Sequence, residues 1–228
     1  MSDLRDLTCL ILAGGKGKRL RPLTLEIPKP LVKINDKAII DYSVEQLLNF
    51  NVGEIIVLSG YLSHKIESHF ENKEQKYQVK VMDTGDVDII ERIKSVFNEV
   101  RTKYVLILYG DTISDVDLSK LVGFHLNHNR GATLTTWQIK SNFGVITTDK
   151  DMLVIDYKEK PKLDIWINIG YIILNSEIFK SMNDFDTFQS FLENLVETKN
   201  LLSYKHSGMH YTVNNVVELK EAEESLKK

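Results

Sequence analysis

The sequence predicts an α/β protein built on a single doubly wound, mostly parallel sheet and followed by a β-rich extension. Three observations predict it. Residues 54–59 (EIIVLS) and 103–109 (KYVLILY) are continuous apolar runs, the pattern of strands buried on both faces. Between such runs the apolar residues recur at helical spacing, so strand and helix alternate through the first half. Beyond about residue 130 short strand patterns follow one another with few helical segments between them.

Taken in order, residues 7–12 form an apolar strand that breaks at Gly14, Gly15 and Gly17. A short strand is expected at 31–34 and a helix over 38–50, where Ile39, Ile40, Val44, Leu47 and Leu48 share a face. Strand 54–59 precedes a helix over 63–70 that Ser63 could cap. A strand is expected at 77–82, a helix over 87–100 and a strand at 103–109, ending in Gly110-Asp111-Thr112. A helix over 117–129, with Asp117 as cap, closes the first half. The second half reads as strands at 132–139, 143–148, 153–157, 166–174, 201–205 and 210–213, with helices over 188–197 and 216–226. This part is expected to extend the sheet as a lid. No linker composition or internal repeat divides the chain, so one domain, residues 1–228, is expected, with halves meeting near residue 130.

Ligands of wound parallel sheets sit at the carboxyl ends of the strands, and the glycine loop and Asp111 both occupy such ends. Glycines after a strand uncover backbone N–H groups for an anion. Lys16, Lys18, Arg19, Arg21 and Lys29, the last bracketed by Pro28 and Pro30, add cations. The segment 10–30 is a polyphosphate cradle by composition. It is not a dinucleotide loop, because Leu20 stands where the third glycine would be. Nor is it a P-loop, because no Gly-Lys-Ser/Thr triplet opens a helix.

Bulk composition narrows the classes. A net charge of −3 argues against a nucleic-acid surface. No apolar run reaches the length of a membrane span, and the charged N-terminus lacks a signal peptide's core, so a cytoplasmic protein without membrane contact is expected. The lone Cys9 lies within the first strand and reads as a buried thiol. His125 and His128 share a helix face, and His206 and His210 flank Gly208, but neither pair has zinc-ligand spacing. No Gly-x-Ser-x-Gly elbow is present.

The run Leu12-Ala13-Gly14-Gly15-Lys16-Gly17-Lys18-Arg19-Leu20, followed by Pro28-Lys29-Pro30, resembles the signature of nucleotidyltransferases that join a nucleoside triphosphate to a sugar 1-phosphate. Further segments resemble glucose-1-phosphate cytidylyltransferases in order along the chain: Asp83-Thr84-Gly85 with Arg92-Ile93-Lys94, Tyr109-Gly110-Asp111, Phe143-Gly144, Glu159-Lys160-Pro161, and Trp166-Ile167-Asn168 with Gly170. The resemblance implies a Rossmann-like nucleotide-binding half and an acceptor-binding half. It implies CTP first among donors, Mg2+ as cofactor, a phosphorylated small-molecule acceptor and a possible homo-oligomer. It places Arg19 on the leaving pyrophosphate and Lys29 on the α-phosphate and acceptor phosphate. Leu12 to Gly17, Asp83, Thr84 and Gly110 would hold the nucleotide. Gly144, Glu159, Lys160, Asn168 and Gly170 would hold the acceptor, and Asp111 with Asn214 the metal.

Single residues also carry plainer readings. Lys16, Lys18 and Lys29 could be solvated lysines, Asp111 could serve an Asx turn, and Glu159-Lys160 could be an exposed charge pair. Four departures from the family pattern stand out. Ile90-Glu91 replaces Gly-Gly, Ile169 replaces a glycine, Gln189 replaces a glutamate, and Asn214 replaces the second metal aspartate. An asparagine can still offer a carbonyl oxygen to Mg2+, with one charge fewer. Two other readings stay open: transfer to a non-sugar phosphate or phosphonate, and a nucleotide-binding homologue with weak turnover.

Overall fold

The computed structural model describes residues 4–73 and 77–227. The chain begins with β1 (Leu7–Leu12), then β2 (Lys33–Ile34), β3 (Lys37–Ala38), α1 (Ile39–Asn49), β4 (Glu54–Ser59), α2 (Ser63–Glu71) and β5 (Lys80–Asp83). It continues through α3 (Ile89–Lys94), β6 (Tyr104–Tyr109), β7 (Thr112–Ser114), α4 (Leu118–Asn127), β8 (Ala132–Lys140), β9 (Val145–Thr148), β10 (Val154–Lys158) and β11 (Lys162–Asn175). It ends with α5 (Ser176–Ser181), α6 (Phe188–Glu197), β12 (Leu201–His206), β13 (His210–Thr212) and α7 (Val216–Ser225).

Seven strands form one sheet in the order β12-β8-β11-β6-β1-β4-β5. β1 pairs in parallel with β4 and β6, β4 with β5, and β12 with β8; β11 alone runs against its neighbours β6 and β8. The expected doubly wound, mostly parallel α/β fold is therefore present. Alternate side chains of the central strands feed two cores. Cys9, Ile11, Val57, Leu106 and Leu108 pack under α1, α2 and α4. Leu10, Ile56, Leu58, Val105 and Ile107 pack under α3, α5 and α6. A strand covered on both faces needs no polar alternation, which is why EIIVLS and YVLILY carry none. Cys9 lies in this interior, and burial raises its thiol pKa.

Several boundaries move. α2 is preceded by Leu62 in the left-handed region (φ 53°), so Ser63 is its first residue and not its cap. The Ser63 hydroxyl lies 2.7 Å from Ser59 Oγ and donates to Glu67 Oε1 at 2.8 Å. The helix expected over 87–100 covers only Ile89–Lys94, capped by Asp88, and continues as turns that carry Val96 and Val100 into the second core. Strand 77–82 begins at Lys80, because Tyr77 packs against Phe70 in the first core. Helix α5 was hidden in the apolar tail of β11, with Asn175 as its cap. The extension is not wholly a lid. β8, β11 and β12 continue the main sheet, while the exposed β9–β10 hairpin forms a separate two-stranded sheet and β13 pairs with β7 in another.

A third, smaller core joins the glycine-loop region to the C-terminus. Leu20, Val32, Ile34 and Ile39 pack with Ile113, Val213, Leu219 and Ala222. It seats the β7–β13 ribbon and α7 beside the tips of β1 and β6.

Candidate active site

The parallel direction of β1, β4, β5 and β6 brings their carboxyl ends to one edge of the sheet. A cavity of about 660 Å³ opens there. The loop after β1 follows the edge closely: Ala13 N–H donates to Leu58 O (2.9 Å) and Tyr61 N–H to Gly14 O (3.2 Å). Gly110 N–H donates to Leu12 O at 3.0 Å, and a Cβ at Gly110 would lie 2.7 Å from that oxygen. Gly17 takes φ 58°, and a Cβ there would lie 3.0 Å from Lys29 Cβ. Glycine at 17 thus lets the two basic segments pack together. Thr24 Oγ1 donates to Gly17 O (2.8 Å), and the Tyr61 hydroxyl lies 3.1 Å from both the Thr24 and Leu25 carbonyls, which ties 22–26 to the sheet edge.

Polar groups distant in sequence converge in the cavity. The Lys29 ammonium pairs with Asp111 Oδ2 and donates to Asn214 Oδ1 at 3.2 Å. Arg19 Nη2 donates to the same Asn214 oxygen at 2.8 Å. Asn214 is delivered by the β7–β13 ribbon, where Val213 N–H donates to Asp111 O at 3.2 Å. Its own backbone N–H donates to Glu218 Oε2 at 2.7 Å. The Lys29 side chain is 11% exposed and Asp111 29%, so the pair is sheltered but reachable. Lys16 pairs with Asp86 across the mouth, and the Lys16 charge holds that carboxyl below the usual range.

Leu12, Ala13, Gly14, Gly15, Lys16, Gly17, Arg19, Lys29, Gly110, Asp111 and Asn214 all line this cavity. Asp83 and Thr84 lie behind its wall. Asp83 Oδ1 accepts from Gly85 N–H (2.9 Å), and Thr84 Oγ1 donates to Ser59 O (2.6 Å) and accepts from Arg92. The acceptor set divides. Asn168 Oδ1 accepts from Gly170 N–H at 2.8 Å, and Gly170 (φ 78°) leaves room for the Tyr109 ring, which itself lines the cavity. Gly144, Glu159 and Lys160 lie on the exposed hairpin, outside the cavity lining. There the Tyr157 hydroxyl donates to Glu159, and a Cβ at Gly144 would lie 2.6 Å from the Tyr157 oxygen.

Sequence reasoning underused Arg92. It is 4% exposed, lines the cavity and donates to Ser59 O, to Gly85 O (3.1 Å) and to Val87 O (3.0 Å). Burial pulls its pKa below the usual arginine value, opposed by Asp83, Asp86 and Asp88. A Cβ at Gly14 would lie 2.0 Å from its Nη1. The available signal was a charge between Ile90 and Ile93, both in the second core. The departure at Ile90 is explained the same way, since that side chain is buried.

The donor set suits a hard divalent cation. Asp111 and Asn214 supply two oxygens that already share a cationic partner. Among the described residues no group of three or more His, Cys, Asp or Glu side chains could hold a metal alone. Phosphate and water oxygens would complete the shell, as Mg2+ commonly requires. The histidines are placed elsewhere: His125 Nδ1 lies 2.8 Å from Thr133 Oγ1 in the interior, and His206 Nε2 lies 2.9 Å from Asp115 Oδ1.

A family model described as nucleotidyl transferase matches residues 8–212. The chain belongs to the nucleotidyl transferase family. It is 30% identical over 227 residues to the "Probable glucose-1-phosphate cytidylyltransferase" of Bacillus subtilis, covering 89% of each chain. It is 30% identical over 212 residues to the "Putative mannose-1-phosphate guanyltransferase" of Sulfolobus acidocaldarius, covering 89% of this chain but 58% of that protein's length. Among solved structures, a "Putative Glucose-1-Phosphate Thymidylyltransferase" from Bacillus anthracis superposes with a TM-score of 0.77 at 19% identity, over 97% of this chain and 96% of that one. At that identity the likeness speaks for the fold. Relatives named for cytidylyl, guanyl and uridylyl transfer resemble this nucleotidyl transferase to nearly the same degree.

Proposed function

We propose that this nucleotidyl transferase joins a nucleoside triphosphate, CTP first, to a sugar 1-phosphate and releases pyrophosphate. The observation that carries the reading is the convergence of Arg19, Lys29, Asp111 and Asn214 with the glycine loop in one cavity. An oxygen of the acceptor phosphate attacks the α-phosphorus, and the bond to the bridging oxygen of pyrophosphate breaks. Both reactants are anions, so the barrier is lowered chiefly by fixed positive charge and alignment. Lys29 moves from Asp111 to the α-phosphate and acceptor phosphate. Arg19, already reaching across to Asn214, turns its fork to the departing pyrophosphate. The N–H groups around Gly14, Gly15 and Gly17 hold the triphosphate oxygens. Mg2+, held by Asp111 and the Asn214 carbonyl oxygen, would supply further charge to the reacting phosphates. No side-chain nucleophile is required.

Asn168 and Gly170, beside Tyr109, are the inner contacts proposed for the acceptor. Gly144, Glu159 and Lys160 reach it from the hairpin. Because three of these five residues stand on an open hairpin, transfer to a non-sugar phosphate or phosphonate is the second reading. The test is a matrix of CTP, GTP, UTP and dTTP against sugar 1-phosphates and other phosphorylated acceptors, read as Mg2+-dependent pyrophosphate. Release with CTP and a sugar 1-phosphate is expected. A sharp preference for a non-sugar acceptor supports the second reading. Triphosphate binding without release from any pair would leave only a nucleotide-binding homologue.

A further inference from the structure

The cavity is chemically polarised along its length. Arg19, Lys29, Asp111 and Asn214 form one end. At the other end the wall is the 86–89 segment, where Asp86 and Asp88 alternate with Val87 and Ile89. Val87 and Ile89 are each 42% exposed, an apolar surface that a flat heterocycle could cover. The segment is not free to drift. Arg92 holds the Gly85 and Val87 carbonyls, and Gly14 lies against the same guanidinium from the facing wall. Asp86 gives Oδ2 to Lys16, and Asp88 gives Oδ1 to the Glu91 N–H at 3.1 Å as the cap of α3. Each carboxylate keeps a second oxygen with no hydrogen-bond donor among the described residues.

This inference rests on the proposed reading that the cavity takes a nucleoside triphosphate. With the phosphates at the cationic end, the base meets residues 86–89. We infer that Asp86 and Asp88 select a base presenting an exocyclic amino group, such as cytosine or guanine, over uracil and thymine. A carboxylate only accepts hydrogen bonds. The cytosine amino group offers it a donor, and guanine offers two in parallel. Uracil and thymine flank their single ring N–H with two carbonyls. A carboxylate accepting from that N–H therefore sets oxygen against oxygen on at least one side. The discrimination comes as much from that repulsion as from the favourable contact. For partly exposed carboxylates it should amount to roughly tenfold.

The test measures pyrophosphate release and, independently, calorimetric binding for CTP, GTP, UTP and dTTP. It uses the whole chain and the variants Asp86→Asn and Asp88→Asn. Asparagine still caps a helix, and an exposed ion pair such as Lys16–Asp86 contributes little stability, so both variants should fold. The unsubstituted chain should favour CTP or GTP over UTP and dTTP by about tenfold or more. At least one variant, whose amide can donate to a carbonyl at C4, should bring that ratio near one. The ratio is the readout because releasing Lys16 strengthens binding of all four triphosphates alike. Equal use of all four, a preference for UTP or dTTP, or a ratio unmoved in both variants overturns the assignment while nucleotidyl transfer stands. If none of the four binds, the reading of the cavity falls and this inference falls with it.

Discussion

Replacing Lys29 by methionine removes one charge from the cavity and little else. Methionine keeps an unbranched stem, which matters because the Lys29 Cβ is packed at the position where Gly17 has none. The ammonium lies between Asp111 and Asn214 with its side chain 11% exposed, where the effective dielectric is far below that of water. Two unit charges about 4 Å apart interact by about 4 kcal/mol at an effective dielectric near 20. Loss of a single preorganised donor elsewhere costs about 3–4 kcal/mol of transition-state stabilisation, a factor of about 10² to 10³ in kcat. Triphosphate binding should suffer less, because Arg19, Lys16 and the loop N–H groups remain, so kcat should fall much further than KM rises. Stability should hardly change. Asp111, 29% exposed, rehydrates when its partner leaves, and the loss should stay below about 1 kcal/mol, within about 3 °C of melting temperature. The assay is steady-state pyrophosphate release with CTP and glucose 1-phosphate, alongside a thermal melt. A variant within about fivefold of the parent kcat, or one with raised KM and unchanged kcat, would refute the transition-state role.

The glycines of the loop should separate by mechanism. Gly14→Ala drives a Cβ to 2.0 Å from a guanidinium that cannot swing away, so both melting temperature and triphosphate affinity should fall; Gly15 has nothing within 4 Å, so Gly15→Ala should weaken calorimetric CTP binding and leave the melt unchanged. Asn214→Asp should lower the Mg2+ concentration giving half-maximal pyrophosphate release several-fold, whereas Asn214→Leu should depress release about tenfold or more at any Mg2+ level. Asp41 is 2% exposed; burial raises its pKa, but hydrogen bonds from His69 (2.8 Å) and Lys73 outweigh that and leave it lowered. Its stabilisation is present above the unfolded carboxyl pKa of about 4 and is lost as pH falls through the folded value, so Asp41→Asn should cost about 1–2 kcal/mol at pH 7, roughly 3–6 °C, and flatten the acid end of the melting profile. Burial lowers the pKa of both His125 and His210 to about 4, so neutral imidazoles are folded in. The unfolded chain then binds more protons between pH 4 and about 6.5, stability should rise across that window, and a His125→Gln/His210→Gln double variant should show a shallower rise in urea midpoint.

The parts of the fold that could be read from the sequence were those whose local signal agrees with their burial. EIIVLS and YVLILY are strands because both faces are covered, and the bounds of β4 fall where the apolar run begins and ends. Asp117 and Thr187 cap the helices expected behind them. Tertiary demands hid the remainder. Residues 95–100 carry a helical apolar pattern yet are drawn into turns that place Val96 and Val100 in the second core. Ser63 looks like a cap, but its hydroxyl serves Ser59 and Glu67 instead. The nucleotide side of the site was legible because a loop motif places its own residues together. The meeting of residue 214 with residues 19, 29 and 111 came from the family pattern, since no local spacing encodes a ribbon pairing of β7 with β13. Residues 86–89, and the bracing role of Arg92, escaped because a wall held by carbonyl contacts leaves no mark in residue type.

Asn214 stands where the family resemblance implies a second aspartate, and its neutral side chain bears on how the cations are held. With two carboxylates at the tip, Lys29 and Arg19 could each take one, and a triphosphate would have to displace two ion pairs. Here Lys29 has the single carboxylate of Asp111, and both cations share the neutral carbonyl of Asn214. A cation held by a neutral carbonyl lacks the direct charge–charge attraction that a carboxylate adds to the hydrogen bond. Arg19 is therefore the more weakly committed of the two and, on the proposed reading, should be the first to turn toward an incoming phosphate. Lys29, held by Asp111, is expected to move only when a triphosphate or a divalent ion takes over one side of that pair. On the proposed reading this charge count predicts an order of events: anion capture at Arg19 and the glycine loop, then release of Lys29 toward the α-phosphate. An Asn214→Asp variant should therefore tighten Mg2+ while slowing triphosphate capture. A stopped-flow measurement showing faster capture in that variant would contradict the argument.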